Sequence, residues 1–393
     1  MKKVNLRDNY ILWIAAASLI GIFVRILFFD HVTSDYSYYL TGWMNAMDKV
    51  GRFQRFGLDL GDYTCPYMYV LAIITLLPVN RLYAIKAVSC FFDFFLAYFS
   101  FEIVLTLTRN KNKAAWAYAA VFLCPTVIMN SAVWGQCDVI YSSFIIGALS
   151  LILKDKPFKS CILYGFAFAL KLQSIFLAPL FICLWLKKKV KIRQLFIIPI
   201  IYCLGCVPAV IVGRNVVDVL TVYFKQSAEY PHLSFNAPSF LAFAQDFGIE
   251  ATRLSILLTV GFTGMFVLLI LISVFKVKFT INDLQWLELA CVFAVVIPFL
   301  LPKMHERYFY ISDIICIIYA FCRKKRWFIP VLSISASAYT YLRYICKGIF
   351  ERPPLWIGSV LMLTVAAFLI FDFYRDYFDK HRIKETAVDI TPF

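Results

Sequence analysis

This sequence has no polar stretch long enough to build a soluble domain, and charged residues make up only 16% of it. Alternation of apolar and polar positions, the pattern of strands and of membrane barrels, is also missing. Twelve cysteines are present, but no CxxC pair and no Cys/His spacing of the zinc type. Most of them, Cys90, Cys124, Cys183, Cys203, Cys206 and Cys291 included, sit inside apolar runs, where cysteine acts as a small hydrophobe. Cys65 and Cys137 fall on one predicted side of the chain, which leaves a bond between them open. There is no repeat of short period, no low-complexity tract and no matched pair of glycine-interrupted half-helices of the inverted-repeat kind. A soluble enzyme, a zinc module and a disulfide scaffold are thereby excluded.

What is there is overwhelmingly apolar. Hydrophobic residues are 62% of the chain and mean hydropathy is +0.75, against about 45–50% apolar in an ordinary soluble protein. Runs of roughly 17–25 residues, long enough to cross a bilayer, recur from Tyr10 to Tyr374. Backbone groups in lipid must bond within their own segment, so these runs are helices. The first, Tyr10 to Phe29, is too long for a signal-peptide core and lacks a small-residue cleavage site before Asp30, which predicts a retained helix.

The net charge of +15 is not a nucleic-acid signal once its distribution is read. Of the 39 Lys and Arg, 24 lie in seven short stretches: Lys2 to Arg7, Arg109 to Lys113, Lys154 to Lys159, Lys187 to Arg193, Lys276 and Lys278, Arg323 to Arg326, and Arg375 to Lys384. The positive-inside rule places all seven in the cytoplasm. One arrangement satisfies them: an all-α polytopic membrane protein with about 12 transmembrane helices and both termini inside. Its helices fall near 10–29, 83–108, 114–131, 138–153, 159–171, 173–186, 194–212, 254–275, 284–301, 306–322, 328–346 and 354–373. The run Tyr67 to Leu77 is too short to cross comfortably and reads as a juxtamembrane or re-entrant helix on the outer side. Residues 30–82 and 213–253 then face out, the C-terminal helices cover 254–373, and 374–393 form a cytoplasmic tail.

Polar chemistry gathers in the outward connectors. The first carries Asp30, Asp35, Asp48, Asp59 and Asp62 among Tyr36, Tyr38, Tyr39, Trp43 and Tyr63. Carboxylates beside aromatic rings can serve as general bases, and flat rings stack on the apolar faces of sugars. An interfacial aromatic belt with solvated acids is the competing reading. In NSAVWGQCDVIY, Asp138 suits the head of a helix as a cap and Trp134 alone would be an interface anchor, but Trp134, Gln136 and Asp138 together exceed what anchoring needs. Lys171, with Gln173 two residues on, lies between apolar flanks; such a lysine pairs with an acid, meets a ligand anion or snorkels to the interface. EYPHLSFNAPSF offers His232 and Asn236 between helix-breaking prolines. LPKMHERYFY packs Lys303, His305, Glu306 and Arg307 between two apolar runs. An Arg fork and a lysine suit phosphate oxygens, whereas Glu306 and Arg307 could neutralise each other.

Taken in order, the early DY, GLDLGDYTCPYMY, NSAVWGQCD, ALKLQSIFLAP, YPHLSFNAPS and KMHERYFY resemble the segments of GT-C glycosyltransferases. The nearest branch is the bacterial proteins similar to GPI and dolichyl-phosphate mannosyltransferases, and the resemblance runs from Tyr10 to about Tyr310. It implies an enzyme that moves one sugar, a mannose-like hexose, with inversion from a polyprenyl-phosphate carrier. The acceptor would be a glycan, glycolipid or protein on the outer face of the plasma membrane. Residues 30–82 would be the catalytic loop and 83–212 the rest of a GT-C-like core within one membrane domain, 1–393. The family's base matches Asp35 in SDYSYY, and its second acidic position matches Asp62 in GDYTCP, with Asp59 a close rival. The eukaryotic DYPP unit is not kept, since Thr64 and Cys65 separate Tyr63 from Pro66. Lys171, His305 and Arg307 would then hold the phosphate, with Tyr36, Trp134, Gln136, Asp138, Gln173, Asn236 and Glu306 as further substrate contacts.

No obligate metal is expected, although Asp35, Asp62 and Asp138 could hold a divalent cation through oxygens. Two rival roles fit a polytopic chain. A lipid-linked sugar transporter or flippase should carry its polar groups near mid-membrane on broken helices. A polysaccharide polymerase should carry a large outer loop rich in arginine, whereas the basic residues of 213–253 are Arg214, Lys225 and Arg253.

Overall fold

The computed structural model describes residues 9–61, 63–224, 232–249, 252–345 and 354–378. Asp62 and most of the expected cytoplasmic tail lie outside the described residues. The protein is all-α, with helices at every segment expected to hold one.

α1 (Tyr10–Ile26) leads into the first connector, which is itself largely helical. A π-helical turn (Tyr36–Leu40) runs directly into α2 (Thr41–Asp48), and a 3-10 turn (Gln54–Gly57) precedes α3 (Cys65–Leu76). α3 is the short apolar helix expected near Tyr67 to Leu77. α4 (Arg81–Thr108) starts on Asn80 and α5 (Lys111–Phe122) on Asn110. Each asparagine accepts from the amide three residues on, at 3.3 and 2.9 Å, which satisfies an orphan donor of the first turn.

The helix expected over 114–131 is instead two pieces. Pro125 cannot donate to a continuing helix, so the chain breaks after Phe122 and resumes as α6 (Pro125–Ile128) and a π turn (Met129–Trp134), bent by 45° from α5. α7 (Asp138–Leu153) and α8 (Pro157–Leu170) follow. The helix expected over 173–186 opens as a 3-10 turn (Leu172–Leu177) and becomes α9 (Ala178–Leu186) at Pro179, a residue suited to a first helical turn. Next come α10 (Ile192–Leu195), α11 (Ile197–Ile211), α12 (Val216–Leu220), α13 (Phe240–Asp246), α14 (Arg253–Lys276) and α15 (Asp283–Leu300). The helix expected over 306–322 likewise opens as a 3-10 turn (Glu306–Phe309) before α16 (Tyr310–Cys322); α17 (Phe328–Ile345) and α18 (Trp356–Phe378) complete the order.

Among the described residues, five helical stretches are long and apolar enough to cross a membrane, and the bent pair α5–α6 would make a sixth. Five more apolar helices are of 10–17 residues. Twelve crossings therefore exceed what helix length alone supplies.

Contacts divide the chain into two compact units. In the first, residues 1–175 and 190–230, α4 packs on α5 and α7, α8 lies on α7 and α11, and α1 lies on α5. In the second, residues 176–189 and 231–393, α15 is the most enclosed helix, flanked by α16 and α18. Among the described residues Cys65 and Cys137 are not joined by a disulfide. Cys65 packs instead with Cys206, Tyr202 and Ala209 in an apolar cluster.

Candidate active site

The first unit places Asp35 at the head of the π turn that begins with Tyr36. Its Oδ2 accepts Trp134 Nε1–H at 3.0 Å and Gln136 Nε2–H at 2.6 Å. Both donors are buried, while Asp35 is only half-buried. Two N–H groups converging on one oxygen orient a carboxylate, and half-burial leaves it approachable. Trp134 is thus more than an interface anchor.

The donors are aimed by local backbone. Trp134 ends the π turn and Gly135, at φ 73°, reverses the chain in a left-handed conformation that glycine adopts without strain. The reversal lets the Gln136 amide donate to Asn130 O at 2.9 Å. Thr33 Oγ1 donates to Trp134 O at 3.3 Å, and Ser89 Oγ of α4 donates to Gln136 O at 2.7 Å. On the other side Lys86, also on α4 and fully buried, donates to three carbonyls after α1, those of Phe28, Phe29 and His31 at 2.7, 3.1 and 2.6 Å. α4 therefore holds both the segment that carries Asp35 and the segment that holds it.

Asp138 opens α7, but it is not a cap: Cys137 stands at the N-cap and no side chain there caps the helix. The Asp138 carboxylate is fully buried and accepts from Asn130 Nδ2 at 2.9 Å and from Lys171 Nζ. Of the three fates open to Lys171, the structure has the acid. The ammonium also lies 5.7 Å from the ring of Tyr63 and 5.8 Å from that of Tyr141. Lys171 leaves α8 in extended backbone, and Thr64 Oγ1 donates to Leu170 O at 2.9 Å, tying the GDYTCP segment to this end of α8. Gln173 is buried in the 3-10 turn that follows.

Rings run from Tyr39 through Trp43 and Tyr63 to Tyr67, with successive centroids 6.2, 5.7 and 4.8 Å apart. Asp59, the rival to Asp62, is paired with Arg214.

The second unit joins the other two motifs. Ser234 and Phe235 pair in parallel with Met304 and His305, and Asn236, at φ 57°, bridges to His305. The ring of His305 stacks on Phe235 at 4.7 Å and meets Tyr308 at 5.2 Å. Lys303 N donates to Leu233 O at 2.8 Å. Glu306 is buried and Arg307 half-buried in the turn that opens α16. The expected site residues thus fall into three clusters: Asp35 with Trp134 and Gln136, Asp138 with Lys171, and Asn236 with His305. Among the described residues, no group of three His, Cys, Asp or Glu side chains gathers to hold a metal.

Sequence reasoning passed over Arg25, Lys86, Asp93, Asn130 and Ser131. Arg25 Nε donates to Asp93 Oδ2 at 2.8 Å and Ser131 Oγ donates to the same oxygen at 2.7 Å, all three buried. The signal was available, since Arg25 and Asp93 interrupt the runs FVRIL and FFDFF, and a charge there must be paired or at work. The basic stretch Arg323 to Arg326 was likewise read for topology alone. In the structure Arg323 pairs with Glu288 at 3.1 Å and with Asp376, and Arg326 Nε reaches Asp372 at 2.6 Å. Glu288 and Asp372 are fully buried, so these arginines neutralise interior acids.

No curated protein matches this chain. The family model for glycosyltransferase family 87 matches residues 63–302, a segment that contains Trp134, Gln136, Asp138, Lys171, Gln173 and Asn236. That match spans more than half of the sequence, and together with the long apolar helices it shows that the chain is a membrane glycosyltransferase belonging to glycosyltransferase family 87.

Proposed function

We propose that this enzyme moves a single sugar, a mannose-like hexose, with inversion from a polyprenyl-phosphate carrier to a glycan, glycolipid or protein on the outer face of the plasma membrane. The observation that carries the reading is the half-buried Asp35 carboxylate oriented by Trp134 and Gln136. In the reaction Asp35 takes the proton from the acceptor hydroxyl as that oxygen bonds to the anomeric carbon. The bond from that carbon to the phosphate oxygen breaks on the opposite face, and the carrier phosphate leaves with the electron pair. The leaving group needs no proton donor, because the departing phosphate monoester carries the added negative charge.

The exposed rings of Tyr38 and Tyr39, close in sequence to Asp35, suit the apolar face of a sugar. Arg307, with Lys303 and His305, suits the phosphate. The Asp138–Lys171 pair supports this reading as the fixed wall next to Tyr63 rather than as a lone cation. The outer-face setting rests on the basic connectors and the positive-inside rule, and a lipid-linked donor is what a transferase made of apolar helices can reach.

The test is transfer of radiolabelled sugar by purified protein from a panel of undecaprenyl-phosphate sugars, with wild type and Asp35→Asn compared in the presence of a membrane extract as acceptor. The expected result is transfer by wild type and none by a folded Asp35→Asn. Turnover retained in the variant removes Asp35 as the base. No transfer from any donor, with lipid-linked sugar moved across liposomes instead, replaces the proposal with a transporter.

A further inference from the structure

The second unit contains a basic pocket lined by none of the residues assigned above to sugar transfer. The chain reverses after α9, with Lys188 at φ 61°, and this turn, the segment following α14 and the head of α15 enclose about 390 Å³. Lys187, Lys188, Lys189 and Lys278 line it, with Thr280 and Trp286 beside them. Lys187 Nζ donates to the carbonyls of Phe275, at 3.3 Å, and Val277. Carbonyls fix that ammonium without neutralising it. Lys189 lies 3.3 Å from Asp283. Lys188 and Lys278 are exposed, and among the described residues no acid pairs with either. Four ammonium groups thus line the pocket, and the carboxylate of Asp283 lies beside that of Lys189.

The location points to the ligand. α14 has 24 apolar-rich residues, a length of about 36 Å at the helical rise, which exceeds a hydrocarbon core of about 30 Å. The pocket sits where α14 ends and α15 begins, at the level where a helix of that length leaves lipid. We propose that this pocket binds the phosphate headgroup of an anionic phospholipid in the adjoining leaflet. A phosphodiester whose headgroup brings no cation of its own meets the excess charge, and Thr280 adds a donor. This does not depend on the identity of the sugar donor.

Each lysine near a membrane surface contributes about fivefold to binding an anionic lipid. Native mass spectrometry of the purified full-length protein with phosphatidylglycerol or phosphatidylcholine of matched chains reads this directly. Wild type is expected to retain phosphatidylglycerol preferentially. Lys188→Ala/Lys278→Ala should weaken that retention about thirtyfold and leave phosphatidylcholine unchanged. Lys324→Ala/Lys325→Ala removes the same charge from two exposed positions elsewhere in the unit and should have little effect. An equal loss in that control, or no preference between the lipids, overturns the proposal. Millimolar inorganic phosphate binding with the same lysine dependence, without displacing lipid, overturns it in favour of a free anion.

Discussion

Arg25 of α1 and Asp93 of α4 form a buried ion pair whose removal has a calculable cost. Arg25 is 2% and Asp93 0% exposed. The guanidinium donates to Asp93 Oδ2 at 2.8 Å, to Gly21 O at 3.0 Å and to Phe122 O at 2.8 Å, and lies 4.2 Å from the ring centroid of Phe122. Arg25→Met keeps the apolar stem but leaves a buried carboxylate whose Oδ2 has Ser131 as donor and whose Oδ1 has none. Removing one partner of a buried pair destabilises by about 3–5 kcal/mol, and Asp93→Leu, which strands the arginine, should do the same. The double variant Arg25→Met/Asp93→Leu removes both ions. Ser131 can then donate wholly to Val127 O, 3.0 Å away, and the losses left are one donor each at Gly21 and Phe122, about 1 kcal/mol apiece. The double variant is expected within about 2 kcal/mol of wild type, against about 6–10 kcal/mol if the single effects added. Equilibrium unfolding in mixed SDS and maltoside micelles, followed by tryptophan fluorescence, measures the cycle. A double variant as unstable as the sum would refute the reasoning and show that the two side chains act through shape rather than charge.

Trp134→Phe keeps the ring but deletes the 3.0 Å donor to Asp35; at about 1.5–3 kcal/mol for a bond to a charged acceptor, kcat should fall roughly tenfold to 150-fold while folding holds, and an unchanged kcat would detach Trp134 from the base. Gly135→Ala meets its nearest atom, Lys86 Cγ, at 3.5 Å without a clash, so only the φ of 73° opposes it; thermal unfolding should show a loss of about 1–2 kcal/mol, and a loss well beyond that would mean the reversal is tighter than the geometry indicates. Arg307→Gln should raise the donor concentration needed for half-maximal transfer, and unchanged donor dependence would move phosphate binding away from this turn. Single cysteines at Lys111 and Lys188 in a cysteine-free background should resist an impermeant reagent in intact cells, and labelling of either would invert the assignment of sides.

How far the site could be read in advance depends on the distance over which each property acts. Helix positions were legible because hydropathy and capping are local: Asn80 and Asn110 announce α4 and α5 within three residues of the bonds they make. Asp35, Trp134, Gln136, Asp138 and Lys171 were all singled out, but their pairing was not. Asp35 is 99 residues from Trp134, and nothing in either neighbourhood encodes that separation. Lys171 points toward phosphate in the sequence because its acid, Asp138, is 33 residues away and no local signal joins them. Arg323 and Arg326 were read as topology markers because Glu288 and Asp372 lie inside runs whose average is apolar, and an average hides a single buried charge.

The sequence by itself determined that this is a helical membrane protein and where its helices run, because those follow from burial tendencies summed over neighbouring residues. Tertiary structure alone decided which acid accepts from Trp134 and Gln136 and which from Lys171. Hydrogen bonds and ion pairs act over about 3 Å, and only the packing of α4 against the segments before and after it brings Asp35 and the Trp134–Gln136 turn within that distance.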